Sequence, residues 1–294
     1  MRSVAAGMER KTRLTREQGP LPIKQIERDL QTRLIGQRID YHPAIGSTND
    51  EAKALAAGGA PDGTLVITDE QTAGKGRMGR RWLAPRNTCL LMSLILRADL
   101  PPAQAARLTM LCSLSAAEAM ESFTGLHIGI KWPNDLVIGQ REAGIEAEHK
   151  LAGLLTETSL IGERLDFAVV GIGINVNLDP LTLGPVMVPA TSLQAELGRP
   201  VDRAGLLIAI LRQIEARYLD ATSGRRMWQD GQRAIHSAWA DRVVTVGREV
   251  TVTAGDDVIH GRAEGVDLDG ALLLRDMAGN LHRILIGNVS LRAT

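Results

Sequence analysis

The chain has 294 residues, with 34 lysines and arginines against 34 aspartates and glutamates, and aromatic residues make up only 3% of it. That length accommodates one large domain and one small one. The balanced charge excludes a general nucleic-acid coat, and the scarcity of aromatics excludes a base-stacking surface as the default.

Residues 1–22 read as a flexible polar leader, with Arg10, Lys11, Arg13 and Arg16 set among Glu9 and Glu17. They hold no apolar segment of the kind a secretory signal needs. Part of the stretch fits an over-long start, since Met8 is a second methionine. Ile23, Ile26, Leu30 and Leu34 recur every three or four residues and predict one amphipathic helix over 23–35. A single helix is no helix-turn-helix, so no DNA-binding domain is expected. Tyr41-His42 predicts a short strand. Thr48-Asn49-Asp50-Glu51 predicts a capping box that opens a helix, and Gly58-Gly59 ends it. Residues 64–69 predict a strand that runs into a glycine-rich loop. Cys89 to Leu96 is an apolar run short enough for a buried strand. Pro102 opens a long helix that buries Leu108, Leu111, Cys112, Ala119 and Met120. Both cysteines sit in apolar stretches without a CxxC pair, as thiols of a reducing cytoplasm do. No apolar run reaches the ~18 residues of a membrane span.

Leu126, Ile128 and Ile130 alternate with His127, Gly129 and Lys131, which predicts a half-buried strand. Further strands are expected at 135–139, 151–158 and 166–174, and a helix at 203–219. The composition changes near Trp239. Short strands are expected at 242–246, 249–253, 258–263, 271–274 and 282–286, separated by glycines, as in a small barrel. The expected organisation is therefore the leader, an α+β domain over 23–238 and a small β domain over 239–294, with no internal repeat.

Five clusters carry chemistry. In Gln71 to Trp82, Gly74, Gly76 and Gly79 alternate with Lys75, Arg77, Arg80 and Arg81. Glycines let backbone approach a ligand, and the cations stabilise phosphate or carboxylate oxygens. The loop formally matches G-x-G-x-x-G, but Pro85 opposes the helix that a dinucleotide fingerprint needs, and Asp99 is a poor acidic partner. A Walker A loop is absent. A solvated turn is the ordinary alternative, though four cations and three glycines point to an anionic small molecule such as a nucleotide. In Lys131-Trp132-Pro133-Asn134-Asp135, Pro133 ends sheet pairing. Asn134 can bond a base or phosphate and Asp135 can hold Mg²⁺, although by itself the cluster reads first as a tight turn. Lys150 stands at the start of the apolar strand Leu151 to Glu157, ordinarily a solvated position. Gly171 and Gly173 lie within a strand, as a close approach or a bulge requires, with Asn175 beyond them. Ser47, Thr48 and Asn49 open a helix whose free N–H groups also suit an anion. The six histidines form no metal-binding spacing, and no G-x-S-x-G elbow is present.

These clusters, taken in order, make the chain from about Tyr41 onward resemble biotin protein ligase: Ser-Thr-Asn, Gln-x-Ala-Gly-x-Gly-Arg-x-Gly-Arg-x-Trp, Lys-Trp-Pro-Asn-Asp, Lys-Leu-Ala-Gly-x-Leu-x-Glu and Gly-x-Gly-x-Asn. The resemblance implies a class II synthetase-like fold, a mixed central sheet with helices packed on it, followed by a small SH3-like barrel. It implies conversion of biotin and Mg-ATP to biotinoyl-5′-AMP with release of pyrophosphate. Transfer to a lysine of the biotin carboxyl carrier protein of acetyl-CoA carboxylase follows. Residue by residue it assigns Ser47, Thr48, Asn49, Gln71, Gly74, Lys75, Gly76, Arg77 and Lys150 to biotin. Arg80, Trp82, Lys131, Asn134, Asp135, Asn175 and Arg292 fall to the nucleotide, and Asp135 also to Mg²⁺. Lys150 and Arg77 are the expected catalytic groups, because fixed cations offset the repulsion of a carboxylate attacking a phosphate.

Three departures stand out. Lys75 occupies a position that is Arg in many relatives. The stretch 139–149 is longer than in some and predicts a surface hairpin. The N-terminal region lacks the DNA-binding domain of repressor-type members, so the expected protein is a cytoplasmic ligase without DNA or membrane partners, its oligomeric state open between monomer and homodimer. The alternative within the same fold is a lipoate or octanoate ligase or transferase. A biotin-sensing regulator would need a DNA-reading module, and a catalytically inert binder would have no use for Lys150, Arg77 and Asp135 together.

Overall fold

The computed structural model describes residues 19–142, 145–183, 189–222, 225–255, 257–285 and 287–291. Residues 1–18 of the expected leader, part of the 139–149 hairpin, and Arg292 lie outside them. Helix α1 (Ile23–Leu30) precedes strand β1 (Ile39–His42), helix α2 (Thr48–Ala57) and strands β2 (Leu65–Thr68) and β3 (Cys89–Leu96). Helix α3 (Ala106–Thr124) leads to β4 (Gly129–Lys131), β5 (Asp135–Glu142), β6 (Ile145–Ile161) and β7 (Arg164–Asn175). Three helices follow: α4 (Leu193–Leu197), α5 (Arg203–Thr222) and α6 (Arg225–Ala240). These strands form one mixed sheet in the order β1-β2-β3-β7-β6-β5-β4, in which only β1 and β2 run parallel.

Strand alternation assigns the two faces of this sheet. On β3 and β7, Leu90, Leu94, Val170, Ile172 and Ile174 join the main core, as do Leu108, Leu111 and Leu114 of α3 and Leu207, Ile210 and Ile214 of α5. The opposite parity meets α2 at one end, where Ala52 and Ala56 pack on Val66, Ile95, Phe167 and Val169. Every residue of β3 is therefore buried, which explains an apolar run interrupted only by Ser93. Further along that second face no helix of the described residues lies on the sheet, and Gly153, Gly171 and Gly173 line a cavity there instead.

The C-terminal strands β8 (Glu249–Ala254), β9 (Asp257–Val266), β10 (Leu272–Asp276), β11 (Leu281–Ile284) and β12 (Asn288–Leu291) form an antiparallel sheet in the order β11-β10-β9-β8-β12. Its inward Val250, Val252, Ala263, Leu272 and Leu274 belong to the same apolar cluster as the larger sheet. The seam also carries polar ties. Trp132 Nε1 donates to the Gly270 carbonyl at 2.8 Å, and Arg107 pairs with Asp269 at 2.9 Å.

Several expectations are corrected. α1 ends at Leu30, not near residue 35, with Gln31 left-handed at φ 53°. The N–H groups of Arg33, Leu34 and Ile35 all donate to the buried Glu215 carboxylate, which takes the donors a longer helix would have used. The capping box does not form: Ser47 is the N-cap residue, and Thr48 turns its N–H and hydroxyl to Gln71 Oε1. Residues 242–246 are no barrel strand. Val244 N donates to Ile130 O at 3.0 Å, tying this turn to the end of β4, and β12 supplies the fifth strand. Sequence reading assigns no element to α6.

Asp69, at the end of β2, is fully buried with Arg203 of α5 at 3.2 Å. It also accepts from Tyr41 Oη at 2.6 Å and from Leu21 N at 3.3 Å. Leu21 is itself buried, so the chain packs into the fold from within the expected leader. Burial, then the hydrogen bond to Asp69, pushes the Tyr41 phenol up to about 12. This hub sets the strand end from which Gln71 and the glycine loop depart. Replacing Asp69 by Ala leaves the Arg203 guanidinium buried without its partner, so urea unfolding of Asp69→Ala should show a loss of about 3–5 kcal/mol. A loss below about 1 kcal/mol, the scale of an exposed pair, would show that the hub is not structural.

Candidate active site

The cavity on the open sheet face has a volume of about 620 Å³. Ser47, Thr48, Asn49 and Gln71 line one end. Lys75, Gly76, Arg77, Arg80 and Trp82 of the glycine loop cover it, and Lys131, Asn134, Asp135, Lys150 and Asn175 close the rest. The structure thus brings together nearly all the residues expected from sequence. Gly74 stays outside this lining and faces the outer side of the loop. Its role is backbone packing: Trp82 N donates to Gly74 O at 3.0 Å, and a Cβ there would lie 2.6 Å from the Trp82 carbonyl oxygen.

The floor is made by glycines. A Cβ on Gly173 would lie 2.7 Å from Trp82 Cε2, one on Gly171 2.1 Å from Asn49 Oδ1, and one on Gly153 3.0 Å from Trp82 Cζ3. The Trp82 ring therefore lies directly on the backbone of β6 and β7, which is why these strands tolerate glycine. Its Nε1 is buried without a hydrogen-bond partner among the described residues. No helix follows the glycine loop. It folds back as a small hairpin, with Lys75 bridged to Arg81 and Gly76 N donating to Arg80 O at 2.8 Å.

Lys150 reaches the cavity because β6 breaks its alternation. Asp135 pairs with Gly153, Leu136 with Ala152, and Val137 with Lys150, so Leu151 is the extra residue of a bulge. Leu151 and Ala152 both enter the core, and Lys150 joins Gly153 and Leu155 on the cavity side. Its ammonium sits 2.7 Å from Asp135 Oδ1 and 5.4 Å from the centre of the Trp82 ring, an ion pair and a cation–π contact together. The 139–149 stretch is paired as the distal part of the β5–β6 hairpin where it is described, and it leaves Lys150 in place.

Arg77 Nη1 donates to Asn134 Oδ1 at 3.1 Å and to Gly287 O, ahead of β12, at 3.2 Å. Burial draws its pKa down while nearby Asp135 opposes that, and an arginine keeps its charge in any case. Asn134 Nδ2 donates to Leu154 O at 2.5 Å, which anchors the turn after Pro133. Lys131 pairs with Glu148 at 3.1 Å, and Glu148 also takes Arg248 at 2.8 Å. Asn175 spends its amide on structure, donating to Thr191 O at 2.9 Å. Six lysines and arginines and one carboxylate, Asp135, stand among the described lining residues. That imbalance suits a ligand with several negative oxygens.

Three contributors are given no role by the sequence. Ser93 Oγ lies 2.8 Å from Thr48 Oγ1 and 2.6 Å from Asn49 Oδ1. A lone serine in a buried apolar strand was its signal. Glu157 accepts from Asn49 Nδ2 at 2.8 Å and pairs with Lys53 at 2.5 Å. Thr253, Asn288, Val289 and Ser290 bring the C-terminal sheet to the cavity wall, a long-range juxtaposition with no local pattern.

Residues 41–175 match the biotin/lipoate A/B protein ligase family, and residues 245–292 match the biotin protein ligase C-terminal domain. The bifunctional ligase/repressor BirA of Bacillus subtilis is 35% identical over 268 residues, 91% of this chain and 78% of that protein. The biotin–[acetyl-CoA-carboxylase] ligase of Paracoccus denitrificans is 33% identical, over 79% of this chain and 92% of its own length. Among solved structures, the biotin protein ligase of Aquifex aeolicus in complex with biotin and ATP superposes with a TM-score of 0.67 at 27% identity, covering 88% of this chain and 100% of that one.

The glycine floor makes a direct prediction. In Gly173→Ala the new methyl displaces the Trp82 ring, so acrylamide quenching of tryptophan fluorescence should rise, and the rise should vanish in a Trp82→Phe background. Quenching that does not change would mean that the ring does not rest on Gly173.

Proposed function

The chain belongs to the biotin protein ligase family, and on that premise we propose that it joins biotin to ATP as biotinoyl-5′-AMP and then transfers the biotinoyl group to a carrier lysine. In the first step a biotin carboxylate oxygen bonds to the α-phosphorus, the bond to the β-phosphate bridge breaks, and pyrophosphate leaves. In the second, a neutral acceptor amine attacks the biotinoyl carbonyl, AMP departs with the bonding electrons, and the amine proton is released. The observation that carries this reading is the Lys150 ammonium held between Asp135 and Trp82 in a cavity rich in fixed cations.

The reacting partners are both anions, so the barrier is largely electrostatic. Lys150 and Arg77, already fixed by protein contacts, meet the developing charge with little reorganisation. Ser47, Thr48, Asn49 and Gln71 form the biotin end. Ser93 ties Thr48 to Asn49, and Thr48 bonds to Gln71, which holds these three side chains ready for an uncharged polar group. Arg80, Lys131 and Asn134 face the phosphates. Asn175 acts by holding the 189–191 segment against Lys150, whose backbone N–H donates to Pro189 O at 2.8 Å. Mg²⁺ enters as the ATP complex. Asp135, the one carboxylate among the described lining residues, would hold it, and the cation would supply neutralisation of phosphate charge. The mixed anhydride hydrolyses readily, and the glycine loop keeps water from it until the acceptor arrives.

The matched C-terminal region favours biotin over lipoate. The acceptor is the biotin carboxyl carrier protein of acetyl-CoA carboxylase, in keeping with the names of the relatives. The site of action is the cytoplasm, where ATP and reduced thiols such as the buried Cys89 and Cys112 belong. No helix among the described residues is long and apolar enough to cross a membrane.

Incubation with biotin, Mg-ATP and apo carrier domain should add one biotinoyl group by mass. Incorporation of lipoate with none of biotin would overturn the reading. Lys150→Ala should slow adenylate formation about a hundred- to a thousandfold, followed as pyrophosphate release. Arg77→Ala should form adenylate but lose it to solvent faster. Adenylate retention equal to wild type would remove Arg77 from the lid's function.

A further inference from the structure

The glycine-loop hairpin is gripped at two places. On the side of the C-terminal sheet, Arg77 reaches Asn134 and Gly287, and Asn288 Nδ2 meets Met78 Sδ at 2.8 Å. On the other side Lys75 Nζ lies 2.6 Å from one Asp50 oxygen and 2.7 Å from the other. We propose that Asp50 is a positioning residue that latches the lid, its carboxylate holding the Lys75 ammonium and with it the whole hairpin down over the cavity. What the closed lid protects, the adenylate, rests on the ligase reading. The latch itself does not.

Asp50 lies in the first turn of α2, where the helix dipole favours a carboxylate. It directly follows Asn49, which lines the cavity. Asp50 Oδ1 also lies 3.2 Å from Lys53 Nζ, and Lys53 reaches Glu157 at 2.5 Å. Glu157 in turn accepts from Asn49. Four alternating charges thus run from the lid to a residue seated against the Gly171 floor. Such a network has more hold than an isolated surface pair. Lysine fits this role at the position where arginine is common. A compact ammonium on a flexible stem sits between both oxygens without needing a planar fork. Because the hairpin is internally bridged between Lys75 and Arg81, a grip on Lys75 restrains Arg77 and Arg80 as well.

Both partners are about half exposed, 45% for Lys75 and 47% for Asp50, so the latch must be weak and reversible. That is what a lid opening once per turnover needs. The test uses the full chain with Asp50→Asn, Asp50→Lys and the exchange Asp50→Lys/Lys75→Asp. In the unliganded protein, trypsin cleavage after Arg77, Arg80 and Arg81 is timed and mapped by mass. Asp50→Asn should accelerate it about two- to fivefold, the range of an exposed ion pair. Asp50→Lys should accelerate it further, and the exchange should return it toward wild type. Adenylate release from the single variants after desalting should follow the same order. Cleavage unchanged in Asp50→Lys, or not restored by the exchange, overturns the latch. A wild-type chain that forms no adenylate overturns the ligase reading, while the cleavage series still decides the latch.

Discussion

The site depends on the parity of one strand. In a β-strand the side chains alternate strictly between faces, and β6 must put apolar residues into the core while delivering a cation to the cavity. Without the bulge at Leu151, the alternation that places Gly153 and Leu155 on the cavity face would bury Lys150 beneath the sheet. The extra residue lets Leu151 and Ala152 both enter the core and turns Lys150 to the open side. From there it reaches Asp135 across the β5–β6 pair, and the Trp82 ring lies close enough to cover it only because Gly153 and Gly173 have no side chains. Register, glycine placement and the seating of the ring are one constraint expressed three times.

Around that floor four of the lining cations are fixed before any ligand enters. Lys150 is paired with Asp135, Lys131 with Glu148, and Lys75 with Asp50, and Arg77 donates to two neutral oxygens. The pairing serves two ends. It lowers the self-repulsion of many like charges in a confined space, and it fixes their directions so that little reorganisation remains when phosphate oxygens arrive. Among the described residues Arg77 has no carboxylate partner within ion-pair distance, and burial already disfavours its charge. It therefore gains from an anion beside it.

The core and the composition of the site were legible in the sequence because they rest on local signals. The apolar run of β3, the strand alternation before Lys131 and the glycines at 171 and 173 each carry a period or a residue type that backbone sterics enforce. What the sequence hid was long-range competition. The predicted helix to residue 35 yields to Glu215, which lies far along the chain and captures three backbone donors. The capping box at Thr48 yields to Gln71 in the same way. The strand expected at 242–246 yields to the bridge with Ile130. In each case a correct local propensity lost to a partner that only the folded chain supplies. Ser93 and Glu157, the latter already part of a motif, were given no role for the related reason that their meaning lies in Asn49, on another element.

The two sheets cannot be assigned separate tasks. Trp132 carries the argument: it precedes Pro133 and Asn134 in the turn at the cavity wall, yet its indole N–H is bonded to Gly270 and its backbone N–H to Thr245 Oγ1 at 3.1 Å. The turn that presents Asn134 and Asp135 is thus held from behind by the region leading into and through the C-terminal sheet. The same sheet meets Arg77 from the front through Gly287. Lid and wall therefore share a support that neither strand β4 nor strand β5 provides. Any displacement of that sheet would therefore act on Arg77 and on the Asn134 turn together, because both are bonded to it and to each other.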